Sequence, residues 1–261
     1  MNLELAGKRA LVTASSRGIG RAAAERLHGE GCSVVITSRS EADLEEVRDA
    51  VDGRDRIHPI PADLTCPESV EQLLDVVLER LGGIDIIVSN TGGPPTTPVL
   101  DATLEDWREA FETVFFPVIR IVRRLAPGMR ERRWGRIVFV TSTWVKQPHP
   151  GGVLSAAARS AVSAFAKQLA IELGSDGVLV NHVMPGPTWT DRSRRIVASM
   201  AAARGKDEAA IEGEVTASIP VRRYGKPEEI GDVIAFLASS RASFLTGTAV
   251  AVDGGQVRSQ L

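Results

Sequence analysis

Cysteine is nearly absent from this 261-residue chain: Cys32 and Cys66 are its only two. Their spacing fits neither a metal site nor a disulfide framework, so no metal is expected and a reducing cytoplasm is the simplest home. Long apolar runs are missing too. None approaches the roughly 20 residues that a membrane-spanning helix needs. The opening MNLELAGKRA has no basic region followed by an apolar stretch, which argues against a secretory signal. Nor does charge of one sign dominate. A formal net charge of -2 gives no electrostatic reason to expect nucleic acid or a membrane surface as a partner. What remains is an ordinary globular composition, 43% hydrophobic and 25% charged, with ample length for one buried core.

Along the chain, short apolar runs alternate with longer amphipathic stretches. Nearly continuous apolar runs rich in β-branched residues predict strands at 9–13, 33–38, 57–62, 84–89, 136–141, 178–184 and 248–252. Helical periodicity predicts helices at 19–29, 42–51, 68–81, 104–132, 152–173 and 227–238. Unbroken apolar runs suit strands covered by helices on both faces, and successive βα units join by right-handed crossovers. The expected fold is therefore α/β: a Rossmann-type, doubly wound, seven-stranded parallel sheet flanked by helices. No linker, repeat or low-complexity stretch interrupts it, so residues 1–261 are read as a single domain. The least patterned region, 188–219, is rich in Ala and charge. In a fold that binds ligands at the carboxyl ends of its strands, it is placed to act as a mobile substrate cover.

The first unit carries a glycine-rich turn in ALVTASSRGIGRAAAERL. Gly18 and Gly20, on either side of Ile19, let the backbone turn tightly and approach a pyrophosphate. The charge of that group would rest on the N-terminus of the following helix. Strand, turn and helix come in the order this motif requires. Arg17 lies in the turn, and Arg39 follows the second strand, whose end faces the adenosine ribose. An acid there would bond the 2′-hydroxyl of NAD, whereas an Arg accommodates the 2′-phosphate of NADP. Neither Thr37 nor Ser38 is acidic, so NADP(H) is favoured over NAD(H).

With later segments, these residues resemble the short-chain dehydrogenase/reductase family over essentially the whole chain. The likeness is closest to its bacterial 3-oxoacyl-carrier-protein reductase-like members. The run from Thr13 through Ser15, Arg17, Gly18 and Ile19 to Gly20 is similar to the family's TGxxxGxG turn, with Ala14 in place of the first glycine. Asp63, followed by Leu64 in ADLT, matches the acid that contacts adenine, and Asn90 and Gly92 in SNTGG match the NNAG segment. Pro185 and Gly186, with Thr188 and Thr190, match the PGxxxT segment at the nicotinamide end. The resemblance implies that these residues, with Arg39 and Arg159, hold the coenzyme, and that the substrate is a small molecule. It also implies a homodimer or homotetramer assembled through the long helices at 104–132 and 152–173 and the C-terminal segment. Ala161, Val162, Phe165 and Leu169 either line such a surface or pack on the sheet.

The catalytic positions depart from the family's Asn–Ser–Tyr–Lys set. The matching positions hold Val114, Ser142, Ser155 and Arg159, and the last three are the catalytic candidates. Residues 155 and 159 are four apart on a predicted helix and share a face. In the family, that geometry lets the cation lower a phenol pKa from about 10 toward the working range. Serine has no ring to delocalise an alkoxide and reaches less far. Arg159 stays charged, so it can bind ribose hydroxyls and set a positive potential but relays protons poorly. General acid–base catalysis typically contributes about 10²–10⁴-fold, so its loss makes an enzyme slow rather than dead.

Other groups near this segment leave alternatives open. Trp144, Lys146 and His149 lie between Ser142 and Ser155; either His149 or a water held by the two serines relays a proton, or all three are ordinary loop residues. Pro117 cannot donate to the carbonyl of Thr113, so it either kinks the predicted helix one turn from Val114 or packs harmlessly. Adjacent prolines stiffen TGGPPTTP at 91–98. Arg192, Arg194 and Arg195 either attract an anionic or carrier-linked substrate or form a solvated face.

Three functions compete. The preferred reading is an NADP(H)-dependent short-chain oxidoreductase acting on a carbonyl/alcohol pair with a non-standard catalytic site. The stripped catalytic set would also suit an NADP(H)-binding sensor or scaffold without turnover. The third is a non-redox enzyme similar to halohydrin dehalogenases, relatives that use Ser–Tyr–Arg and no nucleotide. Arg159 fits that set; Ser155 and the glycine-rich turn do not.

Overall fold

Successive residues of each strand point to opposite faces, and both faces are apolar, which is why the runs are unbroken. The computed structural model describes residues 1–259. Its strands are β1 (Arg9–Val12), β2 (Ser33–Ile36), β3 (Ile57–Pro59), β4 (Ile86–Ser89), β5 (Gly135–Val140), β6 (Val178–Pro185) and β7 (Ala249–Val252). They form one parallel sheet in the order β3-β2-β1-β4-β5-β6-β7. Leu11, Val35, Ile87, Ile137 and Val180 face one core, shared with helices α3 (Pro67–Leu81), α4 (Leu104–Val114), α5 (Phe116–Glu131) and α6 (Val153–Leu173). Their neighbours Ala10, Val34, Ile86 and Val138 face the other, shared with α1 (Gly18–Gly29), α2 (Glu41–Asp49) and α9 (Pro227–Ala238).

The strand order reverses at β1, which pairs with β2 on one side and β4 on the other. The crevice outside the carboxyl ends of the strands at such a switch point is the usual ligand site of open α/β sheets. The glycine-rich turn, Asn90, Ser142 and Pro185 follow or end β1, β4, β5 and β6, so all lie on that edge.

Three expectations change. The predicted helix 104–132 is two helices, α4 and α5, broken at Phe115. Pro117 sits in the first turn of α5, where a missing N–H costs nothing, and the Phe115 ring packs edge-on against Phe111 and Phe165. Region 188–219 is also helical: α7 (Asp191–Arg204) and α8 (Glu208–Ala217) enclose a small cluster of Val197, Ala201 and Ile211. β3 stops at Pro59, short of the predicted 62; it is an edge strand, where proline is tolerated. Val162 is buried on the sheet, with Phe165 and Leu169 packed against the same core. Among the described residues no helix is long and apolar enough to cross a membrane.

Candidate active site

The turn after β1 is shaped by its own backbone. Thr13 and Ser15 are buried and their hydroxyls are committed: Thr13 Oγ1 donates to Asn90 O at 2.6 Å, and Ser15 Oγ donates to Val12 O at 2.8 Å. Asn90 Nδ2 donates to Ala14 O at 3.2 Å, tying the turn to the end of β4. Ala14 adopts φ 46°, a left-handed conformation that suits the glycine it replaces. A Cβ on Gly20 would lie 2.3 Å from Ala14 O and 2.9 Å from Asn90 Nδ2, so only glycine fits. At the head of α1, residue 17 makes no side-chain cap and the first turn carries no acid. Unfilled backbone donors at a helix N-terminus, behind a turn with no room for side chains, fit a dinucleotide phosphate.

Toward the adenosine end, Arg39 is exposed and makes no ion pair among the described residues, whereas Arg17 is paired with Asp43 at 3.0 Å. Thr65 donates to Asp63 Oδ1 through both N–H and hydroxyl, at 2.9 and 2.7 Å. These bonds, aided by the charge of Arg39, hold the carboxyl below the usual range. Leu64 packs on the core beneath. Thr37 Oγ1, buried just after β2, has no hydrogen-bond partner among the described residues.

At the opposite end, α6 presents Ser155 and Arg159 on one face. Each nitrogen of the Arg159 guanidinium has a partner: Nε donates to Ser155 Oγ at 3.3 Å, Nη1 to Val140 O at 2.9 Å and Nη2 to Gly92 O at 3.1 Å. Burial, with the nearby charge of Arg192, pushes its pKa down to about 10, so it remains a cation at neutral pH. Ser142 Oγ accepts from the Trp144 N–H at 3.2 Å. Both serine oxygens therefore accept a hydrogen bond, and neither hydroxyl hydrogen has an acceptor among the described residues. Val114 is buried in apolar surroundings. His149 is exposed, stacks on Trp144 and is hydrogen-bonded through Nδ1 to Pro150 O at 3.0 Å; it bonds neither serine. Lys146 is exposed and without an ion pair among the described residues. The only tyrosine, Tyr224, packs against Trp189 and the cover.

The segment after β6 closes the crevice. Gly186 is pressed against Asp253, where a Cβ would lie 2.7 Å from its side chain, and Thr188 Oγ1 donates back to Gly186 O at 3.0 Å. Thr190 caps α7 and meets the phosphate turn, its Cγ2 3.3 Å from where a Gly18 Cβ would be. A cavity of about 360 Å³ lies there, lined by Gly18, Trp189, Thr190 and Lys226. Across the mouth, Arg192 donates from Nη1 to Gly93 O at 3.0 Å and from Nη2 to Pro94 O at 3.1 Å. The loop 91–98 is fixed from behind by the Thr97 N–H bond to Gly151 O at 2.8 Å. A second cavity of about 490 Å³, lined by Trp144, His149, Ala156 and Ser160, adjoins the Ser142–Ser155 segment. Sequence reasoning left Arg192 undecided, because its role depends on how the cover folds back onto loop 91–98.

Known proteins share this architecture. The family described as enoyl-(acyl carrier protein) reductase matches residues 13–256. The 3-oxoacyl-acyl-carrier-protein reductase of Vibrio cholerae is 36% identical over 255 residues, covering 98% of this chain and 98% of that protein. Among solved structures, the L-sorbose reductase of Gluconobacter frateurii complexed with NADPH and L-sorbose superposes with a TM-score of 0.94 at 30% identity, covering 99% of this chain and 100% of that one. An actinorhodin polyketide ketoreductase variant with NADPH gives 0.92 at 30% identity, covering 97% and 98%.

Proposed function

We propose, from the premise that this chain belongs to the short-chain dehydrogenase/reductase family, that it is a reductase of small carbonyl compounds working through hydroxyls and a guanidinium in place of a phenol and an amine. Its class is oxidoreductase and its coenzyme is NADP(H), as in the NADPH-bound relatives. The backbone of Ala14–Gly20, with Asn90, Gly92, Pro185, Gly186, Thr188 and Thr190, would hold it, while Arg39 meets the 2′-phosphate and Asp63 the adenine. When bound, the nicotinamide supplies or accepts the hydride.

One observation carries the catalytic reading: Arg159 Nε donates to Ser155 Oγ, which leaves the Ser155 O–H free to donate. Ser142 is in the same state, its oxygen occupied by the Trp144 N–H. Two uncommitted hydroxyl donors beside a half-buried cation form a preorganised site for a carbonyl oxygen that gains negative charge. Arg159 stabilises that charge without surrendering a proton, so the last proton comes from solvent through the serine hydroxyls. The helices α7 and α8 form the cover over the substrate. The working unit is a homodimer or homotetramer, assembled through the helices of 104–132 and 152–173 and the C-terminal segment.

The test is NADPH and NADH oxidation on a panel of ketones, aldehydes and oxo acids. Turnover should require NADPH, and Arg39→Glu should cut the preference for NADPH over NADH by roughly 10- to 100-fold, the worth of a charge-assisted hydrogen bond. Tight NADPH binding with no turnover across the panel would replace this reading with a coenzyme-bound scaffold.

A further inference from the structure

The mouth of the site is lined by cations that no acid neutralises. Arg159, from α6, and Arg192, from α7, converge on three successive residues of one loop, binding the carbonyls of Gly92, Gly93 and Pro94. Neither guanidinium lies within ion-pair distance of a carboxylate among the described residues, although Arg194, two residues from Arg192, pairs with Asp191 at 2.9 Å. A guanidinium carries five N–H donors, and carbonyls take only part of that capacity here. A backbone carbonyl also leaves the net charge uncompensated. The two cations repel each other, and Arg195 adds to the field: Arg192 is lowered by burial and by Arg195, and Arg159 by burial and by Arg192. The two guanidiniums thus stand together at a ligand cleft with carbonyls as partners and no carboxylate, an arrangement that a bound anion would complete.

Deepening the reductase reading on which it rests, we propose that Arg159 and Arg192 recognise a carboxylate, so that the substrate is an oxo acid. The carboxylate draws the Arg192 fork away from Gly93 and Pro94 while the ketone oxygen meets Ser142 and Ser155. Loop 91–98 suits this exchange, because its own bond to Gly151 holds it in place without Arg192. The glycine at 93 is needed for the latch: a Cβ there would stand 2.6 Å from Arg192 Nη1. Coenzyme phosphate offers the same anionic oxygens, and the experiment separates the two.

Full-length protein saturated with NADP⁺ is titrated calorimetrically with pyruvate, 4-oxopentanoate and 2-oxo-4-phenylbutanoate, each beside its neutral amide. At least one acid should bind roughly 10- to 100-fold more tightly than its amide. Arg192→Met should erase the difference and Arg192→Lys should keep part of it, both with an NADPH Kd within about twofold of the parent. If Arg192→Met weakens NADPH by the same factor, the pair serves the coenzyme and the proposal is overturned. Equal binding of every acid and its amide, or no binding of any acid, overturns it as well. Calorimetry needs no turnover, so discrimination between acid and amide with no NADPH oxidation would sink the reductase reading while leaving the carboxylate site standing.

Discussion

Replacing Gly20 with alanine tests the coenzyme cradle at the point where geometry permits least. The new Cβ would lie 2.3 Å from Ala14 O and 2.9 Å from Asn90 Nδ2. Carbon finds its optimum at about 3.5–4.0 Å, so the turn must open by about 1 Å. Overpacking of this kind costs about 1–3 kcal/mol. Parting Ala14 O from Asn90 Nδ2, now 3.2 Å apart, adds about 1 kcal/mol for the lost hydrogen bond. Alanine's better helix propensity returns up to about 1 kcal/mol, since residue 20 lies inside α1. The net loss is about 1–3 kcal/mol, which for a domain of this size lowers Tm by roughly 3–10 °C. Function should suffer more than stability. The displaced backbone carries the donors at the head of α1, and a misplacement of about 1 Å at a positioned site costs on the order of 100-fold.

The assay is thermal unfolding with and without NADPH, beside a fluorescence titration of NADPH. Gly20→Ala should lose both the stabilisation by NADPH and the titration signal. Ala14→Gly is the opposing control. Ala14 holds φ 46°, a left-handed conformation that costs about 1–2 kcal/mol with a Cβ, and glycine's greater unfolded-state entropy takes back roughly half of the relief. A small gain in Tm with NADPH binding retained is expected. Unchanged NADPH affinity and Tm in Gly20→Ala would refute the assignment of this turn to the coenzyme.

Two further expectations follow from the hydrogen-bond map. Ser155→Ala removes one hydroxyl donor and leaves Arg159 Nε without its acceptor, so kcat should fall roughly 10²–10³-fold with NADPH affinity retained; steady-state kinetics beside a coenzyme titration checks it. His182 sets a pH dependence of stability. Thr141 Oγ1 donates to Val183 O at 2.9 Å, so it accepts from His182 Nδ1, and Nε2 then accepts from Ser163. Burial pushes this imidazole from 6.5 down to about 4. The unfolded chain therefore takes up the proton first as pH falls. The stabilisation is complete above about pH 6.5 and declines toward pH 4, by about 3 kcal/mol in all. Urea unfolding across that range should show the decline, and His182→Gln should flatten it.

Much of this was legible before any coordinates. Unbroken β-branched runs placed all seven strands, because a sheet covered on both faces leaves no polar alternation to confuse them. Pro117 marked the trouble in 104–132, but periodicity alone could not tell a kink from the full break at Phe115, which depends on contacts from α6. A cover was expected at 188–219 but its two helices were not, for a physical reason. Helices α7 and α8 bury only Val197, Ala201 and Ile211, too few to make an apolar stripe. Their end signals were nevertheless present: Thr190 and Asp207 as N-caps, and Gly205 at φ 60° closing α7. Ser155 and Arg159 were placed correctly as neighbours on a helix face. The partners of Arg159, Val140 O and Gly92 O, come from β5 and the loop after β4, and no local pattern encodes them.

The proposed coenzyme cradle and the proposed reaction site are held in place by different contacts. The cradle is built by short polar side chains bonded to backbone, Asn90 Nδ2 to Ala14 O and Ser15 Oγ between Val12 O and the Thr37 N–H, and by glycine at 20. Among the described residues, no side chain at 114, 155 or 159 bonds to the turn 13–20 or to Asn90. Helix α6 is anchored separately, through Ala158, Val162, Ala166 and Ala170, a stripe at steps of four that packs on the sheet. Residues 155 and 159 ride on the adjoining face, so their identity can change without moving the helix. A long guanidinium at 159 then adds what a shorter amine could not, bonds to both Val140 O and Gly92 O that clamp α6 to β5 and to loop 91–98. With a cation fixed beside the Ser155 hydroxyl, the chemistry that the proposed site offers is the stabilisation of negative charge.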